Sequence, residues 1–405
     1  MNKSAITTLF GVIPFLILTG LVFSNGIGNH LASYKDLSKL QQAIEWNHNA
    51  FAEYKVAFFT VDSDARKELL ISSIQHNPSN SFAILQYVLL ASAAEDSTKN
   101  TDALVEAAAQ LRPVDGEILT QAAAYWLEKG QILKALNLWS EALSITRNYD
   151  DRLFPFFQEF LRQEMSSSEY DSWIGSAGSW WPRLYRFLAR NSENLPLLES
   201  IFEKRRLYKN AVSDEEQRVL ISFLIEERSW DRAYLYWLNS LDDESRKHTG
   251  LLFNGGFEHK ISNYGFGWHI RRGHAYIETA YIPGVTGRKA LHIIFRDDPA
   301  RFQHISQLTR LLPGEYVLNG RYRAQTLRAV RGVQWRLDCV SPRYENLGRS
   351  SHFVGNSAWE TFSMKIEIQH QCDVQKLSLV ADGRNEVEQR VKGELWFDQL
   401  EIKRL

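Results

Sequence analysis

Asn319, Arg321 and Arg323 stand on every second position of one alternating apolar-polar stretch, and Gln334, Arg336 and Asp338 do the same on another. Planar amides, carboxylates and guanidinium forks are the groups that pair with the hydroxyls of a sugar. Arg in this number favours an acidic polysaccharide. In the first stretch Tyr316, Leu318, Gly320 and Tyr322 share one face of a strand, and Val317, Asn319, Arg321 and Arg323 share the other. In the second, Val333, Trp335, Leu337 and Cys339 form the apolar face. If the two strands lie in one sheet, the six polar side chains make one surface, to which Trp268 or Tyr344 could bring an aromatic ring from a flanking loop. The alternative is the solvated side of a half-buried sheet. Trp335, Trp359 and Trp396 read as core.

The elements that would carry these residues have a recognisable grammar. Asn254-Gly255-Gly256-Phe257-Glu258 places turn-forming residues directly before an apolar residue and a carboxylate. Leu395-Trp396-Phe397-Asp398-Gln399-Leu400-Glu401-Ile402 is a terminal strand with an Asp in it. Between them, Pro313-Gly314 separates two apolar strands, so residues 250–405 predict an antiparallel sandwich. This combination of an Asn-Gly-Phe-Glu start, a central Pro-Gly-Glu-Tyr turn and a closing Trp-Phe-Asp strand resembles the carbohydrate-binding modules with a galactose-binding-like jelly-roll fold. The resemblance implies that the first and last strands lie together and hold a structural calcium through Glu258 and Asp398, hard oxygen ligands of the kind that ion takes. Otherwise Glu258 caps a turn and Asp398 pairs with an Arg.

Over residues 35–245 the apolar residues change to helical spacing. Trp126, a turn at Gly130, and then Ala135, Trp139 and Ala142 resemble a tetratricopeptide repeat, in which small residues let paired helices approach. Pro78 and Pro113 end two earlier helix pairs at a spacing that fits the repeat, and Ala233 and Trp237 mark a degenerate later copy. Ser166-Ser167-Ser168 and Gly175 to Ser179 interrupt the pattern, and residues 150–210 read only as helical and rich in aromatics. Such a solenoid implies a groove for a protein partner. Trp126, Trp139 and Trp237 read as packing between helices. The charged stretch Leu241 to Gly250 is the expected boundary with the sandwich.

The 405 residues carry 47 basic and 48 acidic side chains, a balance that argues against nucleic acid as a partner. Ile6 to Phe23 is uncharged and follows Lys3, so residues 1–24 read as an uncleaved membrane anchor or signal segment. A single-pass inner-membrane protein with its bulk in the periplasm is the expectation. Export makes a disulfide between Cys339 and Cys372 the natural reading, against two buried thiols.

Catalytic patterns are missing from the sequence. It holds no phosphate-cradling Gly-rich loop, no His-Glu-x-x-His and no Cys-x-x-Cys. Gly175-Ser176-Ala177-Gly178 lacks the spacing of a nucleophile elbow, and Asp297 and Asp298 read as a turn before Pro299. The expected architecture is therefore a membrane helix, an α-helical repeat solenoid and a C-terminal β-sandwich. The expected function is a non-catalytic adaptor that binds a glycan and a protein partner in exopolysaccharide or envelope-polysaccharide assembly or export. The alternative is a protein-interaction scaffold whose jelly roll binds no sugar.

Overall fold

The computed structural model describes residues 24–33, 35–93, 100–209, 212–273, 275–285, 287–299, 301–368, 372–381 and 383–405. The N-terminal half is helical and the C-terminal half is an antiparallel two-sheet sandwich. The chain divides into two compact units, Met1–Leu184 and Tyr185–Leu405.

Helix starts in the first unit follow from capping chemistry, in which a short side-chain oxygen accepts from the first free backbone amides. Asn49 caps Ala50–Phe59, Asp62 caps Ser63–His76, and Asp115 caps Gly116–Glu128. The helix Gly116–Glu128 ends in the predicted turn, where Gly130 has φ 71°, and Ile132–Ile145 returns beside it with Trp126, Ala135, Trp139 and Ala142 buried. The Ser run follows the end of Asp150–Glu164, and the Gly-Ser stretch separates Asp171–Ile174 from Trp181–Leu188. Those breaks fold the chain around a fully buried aromatic cluster. Phe157 lies 5.3 Å from both Trp173 and Trp180, and Trp180 stacks on Trp181 at 4.3 Å. Arg183 ties this region down through Asp150, with Nε–Oδ2 at 2.8 Å, and through the Leu143 carbonyl at 2.7 Å.

In the second unit, Leu195–Arg206, Asp214–Glu226 and Trp230–Ser240 precede the sandwich. Arg205 and Glu216, both fully buried, pair between the first two of these helices. Trp237 meets Phe253 and Phe266, and Tyr264 stacks beneath Arg218 and bonds Ser240. These contacts seat the last helices against the segment that leads into the sandwich.

The sandwich strands are β1 (His269–Ile270), β2 (Ala275–Tyr281), β3 (Lys289–Pro299), β4 (Phe302–Thr309), β5 (Gly314–Ala329), β6 (Gln334–Ser341), β7 (Glu345–Arg349), β8 (Gly355–Ile368), β9 (Val374–Ala381) and β10 (Arg390–Arg404). One sheet runs β1-β4-β9-β6-β7 and the other β2-β3-β10-β5-β8. Their inner faces bury Trp335, Phe353, Phe397, Leu291 and Ile293. Trp268, expected in a loop facing the ligand, lies in this core against Phe257 and Trp335. Gly255 is fixed by close approach of the chain's opening turn to its last strand. The Leu400 amide donates to the Gly255 carbonyl at 2.9 Å, and a Cβ at Gly255 would stand 1.8 Å from the Leu400 carbonyl oxygen.

Cys339 and Cys372 form a disulfide with Cα atoms 5.8 Å apart. Among the described residues, no helix is long and apolar enough to cross a membrane. That finding overturns the expected placement as a single-pass inner-membrane protein with its bulk in the periplasm. The apolar segment Ile6 to Phe23, on which the expectation stood, lies outside the described residues.

Candidate functional site

Because the six polar residues anticipated as one surface come from two strands, sheet assignment decides whether they meet. Asn319, Arg321 and Arg323 project from the outer face of β5, whereas β6 with Gln334, Arg336 and Asp338 belongs to the opposite sheet. The two triplets do not share a surface. On β6, Gln334 and Asp338 are buried, Arg336 Nε donates to Asp338 at 2.7 Å, and Asn346 donates to the other Asp338 oxygen at 3.0 Å. Lys376 lies across from Asp338, and burial, helped by Arg271, holds its ammonium below the ordinary lysine range. Tyr344 is exposed beside this cluster. These groups are engaged with one another.

The β5 triplet faces a different neighbourhood. Cross-strand register places Arg323 opposite Trp396, Trp396 opposite His292, and His292 opposite Glu278, a row that crosses β5, β10, β3 and β2. At about 4.8 Å between strands the row is roughly 15 Å long. Arg323 lies over the Trp396 ring, with its guanidinium 4.9 Å from the centroid, and His292 stacks on the same residue at 4.6 Å and 6°. His292 also sits between two carboxylates, Nε2 at 2.8 Å from Glu394 and Nδ1 at 3.4 Å from Glu278. Tyr276 donates its hydroxyl to Glu278 at 2.9 Å, and that bond, to a carboxylate, raises the phenol above its ordinary pKa.

A second aromatic-guanidinium pair lies beside the first. Arg321 is 5.4 Å from the centroid of Trp359, a half-buried residue of β8, and donates to the Gly284 carbonyl at 3.3 Å. Gly284 belongs to the β2–β3 loop, which thereby borders the face at one end. The same loop is held from behind by Glu258, whose Oε1 accepts from the Arg288 and Lys289 amides at 2.8 and 2.9 Å. Gly287, at φ 90°, gives that carboxylate room, since a Cβ there would stand 2.4 Å from it.

These bonds are the turn-capping role that stood as the alternative to a calcium ligand for Glu258. Asp398 is fully buried and accepts from the Gln399 amide at 2.7 Å.

Sequence reasoning placed Trp359 and Trp396 in the core, and the structure puts both on the outer face of the second sheet. Tyr276, Glu278, His292 and Glu394 were missed as members of the same face. Only the long-range pairing of β2, β3 and β10 brings them together.

No family model and no curated protein matches the chain. Among solved structures, the C-terminal region resembles carbohydrate-binding module folds. One is a CBM4 module, at 17% identity over 38% of this chain and 99% of that one, with a TM-score of 0.29. Another is TmCBM61 in complex with beta-1,4-galactotriose, at 17% identity over 39% and 99% of the two chains and a TM-score of 0.27. A third is the CBM22-1 xylan-binding domain from Paenibacillus barcinonensis Xyn10C, at 12% identity over 37% and 91% and a TM-score of 0.28. At these identities and TM-scores the similarity says nothing of what this chain binds.

Proposed function

We propose that the sandwich binds a glycan across the outer face of β2-β3-β10-β5-β8. The observation that carries this reading is the row Glu278, His292, Trp396 and Arg323, flanked by Arg321 on Trp359. It sets carboxylate, imidazole and guanidinium groups side by side next to the half-buried Trp359, so a sugar lying along it would find hydrogen-bond partners in the row and apolar surface at that ring. Two arginines favour an acidic sugar. The helical half serves in this reading as the dock for a protein partner, in the manner of tetratricopeptide-like repeats. A groove of about 320 Å³, lined by apolar residues such as Pro113, Trp126 and Leu138 together with Glu106, Lys134 and Glu141, supports that role. The chain is then a non-catalytic adaptor, and its setting in exopolysaccharide or envelope-polysaccharide assembly rests on domain order alone.

A second reading, a scaffold whose sandwich meets protein and no sugar, has one observation in its favour. Trp396 is only 6% exposed, being covered by Arg323 and His292. Titration of the full chain with acidic oligosaccharides separates the two. Arg323→Ala is expected to weaken binding by roughly tenfold or more, since a hydrogen bond to a charged group contributes about 1.5–3 kcal/mol. Arg336→Ala, on the opposite sheet, is expected to leave it unchanged. A parent chain that binds no acidic oligosaccharide would favour the scaffold, and equal loss in both variants, or in neither, would remove this face as the site.

A further inference from the structure

Three helix ends converge in the first unit on a set of side chains that the glycan reading does not use. His48 closes Leu37–Asn47 in the left-handed region at φ 43°, with its amide bonded to the Ile44 carbonyl. Glu53 lies in the first turn of Ala50–Phe59, and His76 is the last residue of Ser63–His76. Glu53 is 1% exposed, and its two oxygens are separately engaged. Oε1 accepts from the Ser72 hydroxyl at 2.9 Å, and Oε2 faces His76 Nδ1 at 3.1 Å. The His48 ring lies nearly parallel to that of His76, with centroids 5.2 Å apart and 22° between planes.

The geometry points to a divalent metal site, zinc by its donor chemistry, held by His48, Glu53 and His76. One ligand atom from each residue lies within 4.8 Å of the others. Zinc–ligand bonds of about 2.0–2.1 Å in tetrahedral array set the ligand atoms ~3.4 Å apart. The two imidazoles, both on the exposed side of the cluster, reach that spacing by closing about 1 Å and rotating out of their near-parallel stack, so that both in-plane lone pairs point at the ion.

A carboxylate removed from water requires a compensating positive charge, and a divalent cation shared with the two imidazoles would supply it. Ser72, whose hydroxyl donates to Glu53 and stands 3.4 Å from His76 Nδ1, then orients the carboxylate, the outer-shell bond that ligating groups ordinarily make. Two His and one carboxylate leave a fourth position open, and it faces the exposed side, where water or a partner's side chain can complete it.

Zinc titration of the chelator-treated full chain, in competition with a chromophoric chelator, tests the site. One equivalent is expected to bind with micromolar or tighter affinity. His48→Ala and His76→Ala are each expected to weaken it more than about 100-fold, because even outer-shell partners of metal ligands contribute about 10–100-fold. Glu53→Gln keeps the volume and an acceptor for Ser72. Circular dichroism matching the native chain, together with lost zinc uptake, would assign the loss to the ligand and exclude misfolding. Cobalt(II) in place of zinc is expected to give the visible absorption of a four-coordinate nitrogen and oxygen site, and His48→Ala to abolish it. A chain that takes up no zinc, or whose uptake is the same in a His48→Ala/His76→Ala variant, overturns the assignment.

Discussion

Replacing Arg205 by Met is expected to destabilise the second unit by about 3–5 kcal/mol, the cost of leaving one member of a buried ion pair without its partner. Arg205 and Glu216 are 0% and 1% exposed. They meet in two bonds, Nε to Oε2 at 3.1 Å and Nη2 to Oε1 at 3.3 Å, and Ser213 adds a third at 3.2 Å. Burial nevertheless dominates. It raises Glu216 above the ordinary carboxylate range, with Arg205 opposing the shift.

The direction of the pH dependence follows. The folded chain keeps the Glu216 proton to a higher pH than the unfolded chain, so stability falls as pH rises from the ordinary carboxylate range through the raised folded value. Without Arg205 only the Ser213 hydrogen bonds oppose burial, and that window widens upward. The loss in Arg205→Met is therefore expected to be larger at pH 7 than at pH 4. Adding Glu216→Leu removes the stranded carboxylate, and the double variant is expected to recover most of the stability. Urea unfolding of the full-length variants at both pH values measures this. A single variant within about 1 kcal/mol of the parent would contradict a buried, charged pair.

The disulfide gives the second large effect. Cys339 and Cys372 are 33 positions apart, and the bridge joins the end of β6 to the segment entering β9, strands already paired through Cys339 and Gln375. The native chain needs little help to hold that geometry, so the bridge acts mainly by restricting the unfolded chain. For a loop of this length the loss of closure entropy amounts to about 3–4 kcal/mol. Cys339→Ala/Cys372→Ala is expected to show that loss in urea unfolding, and the parent in reductant is expected to show the same. Unchanged unfolding in the variant would mean that the strands alone fix this corner.

Periodicity reported faces correctly and sheets poorly, for a physical reason. The alternation of Tyr316 to Arg323 was legible because side chains on a strand alternate by geometry alone. Whether β5 and β6 share a sheet is a matter of long-range pairing, which neighbouring strands of a sandwich leave open. Trp396 read as core even though Leu395 and Phe397 flank it on the opposite face. Its strand is central in its sheet, and Arg323 and His292 cover its ring on the outer face. The opening turn was legible through Gly255 and Glu258, although Glu258 holds a loop. Residues 150–210 defeated repeat-based reading because the helix Asp150–Glu164 is followed by the short pieces Asp171–Ile174 and Trp181–Leu188, which close on an aromatic cluster. His48, Glu53 and His76 passed unnoticed because their spacing follows no one helix face.

The central claim, a glycan on the outer face of β2-β3-β10-β5-β8, is tested most directly by a glycan array probed with the full chain beside an Arg321→Ala/Arg323→Ala/Trp359→Ala variant. The parent is expected to bind among acidic polysaccharides, the folded triple variant to lose that binding and Arg336→Ala to retain it. A folded parent that binds no glycan, or a triple variant that binds as the parent does, would contradict that claim.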